Sequence, residues 1–186
     1  MKAVTQGLHD LMAHWDNEPV TDPRVFRRVY IGPAKEIPDY VEKCDDIASL
    51  QSDSVHELLV YNHVERVVDL PTFFRHCYRV LKLGCNMIVS GFYHRHEDVR
   101  VDPTRLRGLE EKMFFALAKD WRDTAATDPF EDDILSKIYD GVDFSVMNIV
   151  YAGEPLWLGK SDLARSWGHT HFGNVTRRID VTLVKR

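Results

Sequence analysis

The sequence is poor in the features that mark several broad protein classes. It has only three cysteines, Cys44, Cys77 and Cys85. Their spacing fits neither a disulfide framework nor a metal-ligand set, and a reducing compartment suits them best. No apolar run approaches the roughly 18 residues of a membrane span. The first ten residues hold neither an apolar signal core nor an Arg-rich transit pattern. A cytoplasmic protein without membrane association is therefore expected. Positive charge is also short: 24 Lys and Arg against 29 Asp and Glu leave a net charge of −5, which argues against general nucleic-acid binding. Arg24, Arg27 and Arg28, and Arg177, Arg178, Lys185 and Arg186, form two local basic clusters that read as solvated surface. Internal repeats, low-complexity tracts, nucleophile-elbow serines and phosphate loops with a lysine are all missing. No two of the ten glycines are separated by a single residue, so the chain contains no Gly-x-Gly.

What remains is ordinary globular material. With 186 residues, 44% apolar and 28% charged, the chain fits one domain spanning 1–186. Leu8, Leu11, Met12 and Trp15 predict a short amphipathic helix, and Val29-Tyr30-Ile31 a strand ending at Gly32-Pro33. Leu58 to Tyr61 predicts a buried strand. Pro71 to Lys82 predicts a helix with Phe74, Cys77, Tyr78 and Leu81 on one face, closed by Leu83-Gly84. Met87-Ile88-Val89 predicts a second buried strand. A strand, a helix and a strand over this length read as a right-handed βαβ unit.

The second half continues the alternation. Asp102-Pro103 opens a helix with Leu106, Leu109, Met113, Leu117 and Trp121 on its apolar positions, and Asp128-Pro129 opens another, with Glu131 placed as its capping acid. Phe144 to Tyr151 predicts a strand, and Ser161 to Trp167 a short helix closed by Gly168. Ile179, Val181 and Leu183 alternate with polar residues, as in a half-exposed antiparallel strand added to a parallel sheet. The expected class is α/β, a mostly parallel sheet with flanking helices and an antiparallel C-terminal strand.

The centre of the chain resembles the class I S-adenosylmethionine-dependent methyltransferases. The likeness is carried by Asp46-Ile47, by Leu50, by the run Asp53-Ser54-Val55-His56-Glu57-Leu58-Leu59-Val60-Tyr61-Asn62-His63-Val64-Glu65, and by Arg79-Val80-Leu81-Lys82-Leu83-Gly84-Cys85. It implies an abbreviated Rossmann-like fold, S-adenosylmethionine as cofactor, and methyl transfer to a small-molecule or protein acceptor. The same resemblance places Asp46 and Ile47 at the adenine ring and makes Gly32, in Ile31-Gly32-Pro33-Ala34-Lys35, the best counterpart of the family's Gly-rich loop.

Two departures from the family bear on activity. The loop has one glycine and a proline, which lacks a backbone donor. Only 25 positions separate Gly32 from Glu57, whereas one βαβ unit takes roughly 30 residues. The N-terminal half of the sheet is therefore expected to be shortened and the cofactor pocket degenerate. The acidic residues near enough to hold ribose hydroxyls are Asp39, Glu42, Asp45 and Asp46. A catalytically inactive fold acting as a binding or structural partner is the alternative reading.

Other candidates follow from position. Asn62 and His63 fall at the carboxyl end of a strand, where open α/β sheets bind ligands, or else they cap the next helix. His94 follows the next strand at the same edge, and with Asn62 and His63 forms the candidate catalytic set. His94-x-His96 and His169-x-His171 would each present two imidazoles to one face if they lay on strands, and Glu97 and Asp98 add carboxylates. Arg95 and Arg100 would repel a cation there, and no metal is expected. Phe114-Phe115 on one helix leaves one ring for a surface, and a truncated sheet leaves an edge to cover; together they predict a homodimer.

Overall fold

The computed structural model describes residues 26–33, 37, 39–125 and 134–186. The expected helix around Leu8 to Trp15, the loop residues Ala34 and Lys35, Arg24, and the helix start at Asp128-Pro129 lie outside the described residues.

Among the described residues six strands form one sheet: β1 (Arg28–Ile31), β2 (Glu42–Lys43), β3 (Val55–Tyr61), β4 (Leu81–Phe92), β5 (Phe144–Gly153) and β6 (Thr176–Lys185). Their order is β2-β1-β3-β4-β6-β5. β2, β1, β3 and β4 pair in parallel, and β6 runs antiparallel to both neighbours. This is the α/β sheet the sequence predicts, including its antiparallel last strand. That strand lies between β4 and β5 rather than at an edge, so Ile179, Val181 and Leu183 are fully buried. No helix among the described residues is long and apolar enough to cross a membrane.

The βαβ unit at the centre is built as its residues dictate. Helix α1 (Leu70–Val80) starts where the Asp69 carboxylate accepts the Thr72 N–H, with Pro71 in the first turn. Phe73, Phe74, Cys77 and Val80 fill one face of the sheet. The helix ends two residues earlier than its periodicity predicts. Leu81, expected on its apolar face, instead begins β4 opposite Val55. Gly84, at φ +74°, turns the chain within β4 and leaves Leu83 exposed.

The long helix expected from Asp102 to Trp121 does not form. α2 (Asp98–Val101) is followed by an irregular segment, then α3 (Glu111–Phe115) and α4 (Lys119–Ala125). The reason lies at Gly108-Leu109. The Leu109 N–H donates to the Phe92 carbonyl at 2.8 Å, and the His94 N–H donates to the Leu109 carbonyl at 2.9 Å. Leu109 thus extends the sheet beyond β3. Gly108 lies so close beneath His94 that a Cβ there would sit 2.3 Å from the His94 Cα. Of the predicted apolar positions Leu109 and Leu117 are fully buried and Met113 and Trp121 pack partly against the core, whereas Leu106 is exposed. Phe114 enters the same core and Phe115 is only partly covered.

α5 (Ile134–Ile138) precedes β5, and α6 (Pro155–Leu158) and α7 (Asp162–His171) connect β5 to β6. The Ser161 hydroxyl accepts the Ala164 N–H at the start of α7. Gly168 does not close this helix; it lies inside it. The opposite face of the sheet carries a smaller cluster of Tyr30, Val41, Leu59 and Tyr61.

Candidate functional site

The chain passes from β1 to β2 on one side and returns across β1 to β3 on the other. The carboxyl ends of β1 and β3 therefore flank a topological switch point, where open α/β sheets leave a crevice for ligands. Gly32, Asn62 and His63 all stand there. Gly32 has φ +152°, and a Cβ on it would lie 2.3 Å from the Tyr61 carbonyl oxygen and 2.8 Å from the Tyr30 hydroxyl oxygen. Only glycine lets β1 leave the sheet this close to the end of β3.

Asn62 adopts φ +47° and is nearly buried. Its N–H donates to the Ser90 carbonyl at 2.8 Å, its own carbonyl accepts Arg66 at 2.7 Å, and its side-chain oxygen accepts Arg178 at 3.3 Å. His63 begins the 3-10 turn Val64–Arg66 without capping it. Its ring lies 5.4 Å from that of Phe73. Burial, aided by the Arg66 charge, holds its pKa below the ordinary imidazole value, so the ring is neutral near pH 7.

The other expected residues make local structural contacts. Asp46 caps the 3-10 turn Ile47–Ser49 by accepting the Ala48 N–H at 2.9 Å. Ile47 packs in the main core. Arg79, at the end of α1, holds this turn by donating to the Leu50, Ala48 and Ile47 carbonyls at 2.7, 3.1 and 3.4 Å. Asp45, one residue earlier and just past the carboxyl end of β2, is an exposed acid. Its side chain is 87% exposed and pairs, among the described residues, with Lys43 at 3.3 Å.

His94 sits beyond β4, with its ring 4.5 Å from Tyr93 and its Nδ1 3.9 Å from Glu110. No contact joins it to Asn62 or His63 among the described residues. The histidine pairs lie in a turn and in the last turn of α7, not on strands. His96 is buried with both nitrogens occupied: Nε2 meets Glu154 at 2.8 Å and Nδ1 accepts the Asp98 N–H at 3.2 Å. Among the described residues no group of three His, Cys, Asp or Glu side chains is placed to hold a metal.

Sequence reasoning missed a polar network beside Asn62. The Arg178 guanidinium donates to the Ser90 hydroxyl at 2.7 Å and lies 4.4 Å above the Tyr61 ring. Ser90 in turn donates to the Asp180 carboxylate. The Tyr61 hydroxyl is buried with no hydrogen-bond partner among the described residues, and burial raises the pKa of both Tyr61 and Asp180. The signal was present. Arg178 and Asp180 occupy polar positions of β6, and Ser90 follows directly on the apolar run Met87-Ile88-Val89 of β4.

At the level of the fold, the chain is methyltransferase-like. It is similar to the crystal structure of a SAM-dependent methyltransferase from Archaeoglobus fulgidus, with a TM-score of 0.56 at 12% identity over 99% of this chain and 94% of that one. A second likeness is to the complex between the Haloferax volcanii Trm112 methyltransferase activator and the putative methyltransferase. There the TM-score is 0.50 at 11% identity, over 86% of this chain and 72% of that one. No protein-family model and no curated protein matches the sequence. At such identities the likeness is one of architecture.

Proposed function

We propose that the chain binds S-adenosylmethionine at the switch point and positions an acceptor, a small molecule or a protein, for methyl transfer. The observation that supports this is the meeting of topology and residue type at one edge. Gly32 and the left-handed Asn62 lie at the carboxyl ends of β1 and β3, and an exposed carboxylate, Asp45, follows β2. The buried Tyr61 hydroxyl at the end of β3, with no partner among the described residues, is a further group with hydrogen-bonding capacity to spare. These residues fit a nucleoside: Asp45 would accept from ribose hydroxyls, and Gly32 and Asn62 would line the crevice. When bound, the cofactor supplies an electrophilic methyl group. The chain's part is orientation and the removal of a proton from the acceptor, a role for which the neutral imidazole of His63 is suited.

Calorimetry with S-adenosylmethionine and S-adenosylhomocysteine tests the reading. Micromolar binding is expected, weakened about tenfold or more by Asp45→Ala, since a hydrogen bond to a charged group is worth about 1.5–3 kcal/mol. Absence of heat and of thermal stabilisation at millimolar ligand would overturn it.

That outcome would favour the second reading, a non-catalytic binding protein. One feature supports it. Only residues 32–41 join β1 to the parallel β2, where a parallel crossover normally needs a dozen or more, usually with a helix. Homodimerisation, also a proposal, is supported by β5. This outer strand has no charged residue over its ten positions, and Met147, Val150 and Tyr151 are exposed on it. Sedimentation equilibrium should show a dimer that Val150→Lys converts to monomer, and a wild-type monomer would remove the proposal.

A further inference from the structure

A second cavity lies on the same carboxyl edge, away from the switch point. It has a volume of about 460 Å³, is open to solvent on one side, and is bordered by the end of β5, the start of β6 and the connecting helices α6 and α7. That size suits a small organic molecule. From the β1–β3 boundary to the β6–β5 boundary the sheet spans three strand spacings, about 14 Å. None of the switch-point residues lines this cavity, so the two are separate sites.

The walls are built rather than left over. Trp157 and Tyr151 supply flat aromatic surface, with Leu158 and Val175 beside them. Trp157 is held by a glycine inside a helix. A Cβ at Gly168 would lie 2.6 and 2.7 Å from two carbons of the indole, so the ring rests directly on the α7 backbone. Glycine is unfavourable in a helix interior, and here it makes room for the wall. His169, on the same helix, is fixed from both sides: Nδ1 meets the Thr176 hydroxyl at 2.8 Å and Nε2 the Tyr93 hydroxyl at 3.2 Å.

Charge in the cavity has one sign. Arg165 is the only lining residue with a fixed charge, and no acid faces it across the cavity. Its ion-pair partner, Asp162, lies one helical turn away; the Arg165 side chain is 42% exposed and that of Asp162 93%, so solvent screens that pair and an anion held in the cavity can compete for the guanidinium. We propose that this cavity binds a flat aromatic small molecule carrying a single negative charge, the ring against Trp157 and the anionic group on Arg165. The site stands independently of S-adenosylmethionine binding.

Calorimetry on the full chain without cofactor tests this, with 2-naphthoate, 2-naphthalenemethanol and 2-(aminomethyl)naphthalene as probes of one ring and three charges. Naphthoate should bind with a submillimolar Kd, the alcohol about tenfold more weakly, and the ammonium most weakly of all. Arg165→Gln should abolish the preference for naphthoate and leave the alcohol unchanged. Gly168→Ala, by displacing the indole, should weaken every probe. Ser166→Phe, at an exposed helical position on the cavity wall, fills the same space without touching the core and replaces Gly168→Ala if that variant fails to fold. The proposal is overturned if naphthoate gives no heat at several millimolar, if the three probes bind alike, or if Arg165→Gln and Ser166→Phe leave naphthoate binding intact.

Discussion

Glu65 Oε1 accepts the backbone N–H of Phe92 at 2.9 Å, tying the turn after β3 to the end of β4. The side chain is entirely buried, and the Glu65 carbonyl also accepts the Leu106 N–H at 2.8 Å. One residue therefore joins three segments of the edge that carries the candidate sites. Space for its carboxylate exists because residue 91 is glycine: a Cβ there would lie 2.5 Å from Oε1. Glu65→Ala strands a buried N–H and leaves a cavity. It should cost about 2–4 kcal/mol, read as a lower denaturant midpoint with an unchanged slope. Glu65→Gln keeps an acceptor and should lose about half as much. Gly91→Ala acts on the same contact, so its cost should not add to that of Glu65→Ala. Equal midpoints for wild type and Glu65→Ala would show that the bond contributes nothing.

Gly32 offers a sharper contrast between two glycines of positive φ. Alanine at Gly32 must place its Cβ against the Tyr61 carbonyl, which is fixed within β3, while at Gly84 an added Cβ meets nothing within 4 Å. Gly84→Ala should cost about 1 kcal/mol, from backbone strain alone. Gly32→Ala should cost about 3 kcal/mol, because backbone rather than a flexible side chain must move. Thermal unfolding of the two variants side by side decides this, and similar losses would mean that the ends of β1 and β3 are less closely packed than their geometry shows.

Much of the sheet was legible because burial there follows strand period. Ile179, Val181 and Leu183 alternate in sequence and are buried together. The central βαβ unit was legible for the same reason, and its turn residues Asn62 and His63 reach the switch point with Gly32. The Asp102 to Trp121 segment was not legible as it folds. Its apolar spacing records contact with the core, but Gly108 and Leu109 reach the core by pairing with the end of β4, which no local period encodes. Asp46 and Ile47 match a familiar pattern, yet Arg79, about 30 residues on, turns that segment to the end of α1. The Arg178–Ser90–Asp180 network depends on the pairing of β4 with β6, a register that neither strand carries alone.

Two groups near Asn62 should leave opposite marks on stability as pH changes. Burial and Arg66 lower the pKa of His63 in the folded state below its unfolded value near 6.5. The unfolded chain therefore binds a proton that the folded chain resists. Stability is full above that value and falls as pH drops through it towards the folded pKa. His63→Gln should flatten this part of the profile, measured as urea midpoints between neutral and mildly acidic pH. An unchanged acid slope in the variant would mean that the imidazole is solvated in the folded chain.

Asp180 works in the other direction. Burial raises its pKa above the ordinary 3.8, opposed by the Ser90 hydrogen bond and the Arg178 charge. In the window between 3.8 and the raised value the folded chain holds the proton more tightly than the unfolded one, so stability declines as pH rises through that window. Asp180→Asn keeps an oxygen for Ser90 to donate to and removes the buried charge, so the decline should vanish and the variant should equal or exceed wild type near pH 7. Arg178→Met provides the counter-test. It removes the cation that favours the ionised carboxyl, moving the folded pKa of Asp180 further up and extending the decline to higher pH. Should Asp180→Asn instead destabilise the protein near neutrality, the ionised carboxylate and Arg178 form a net stabilising pair, and the polar network beside the switch point owes its cohesion to charge rather than to hydrogen bonding.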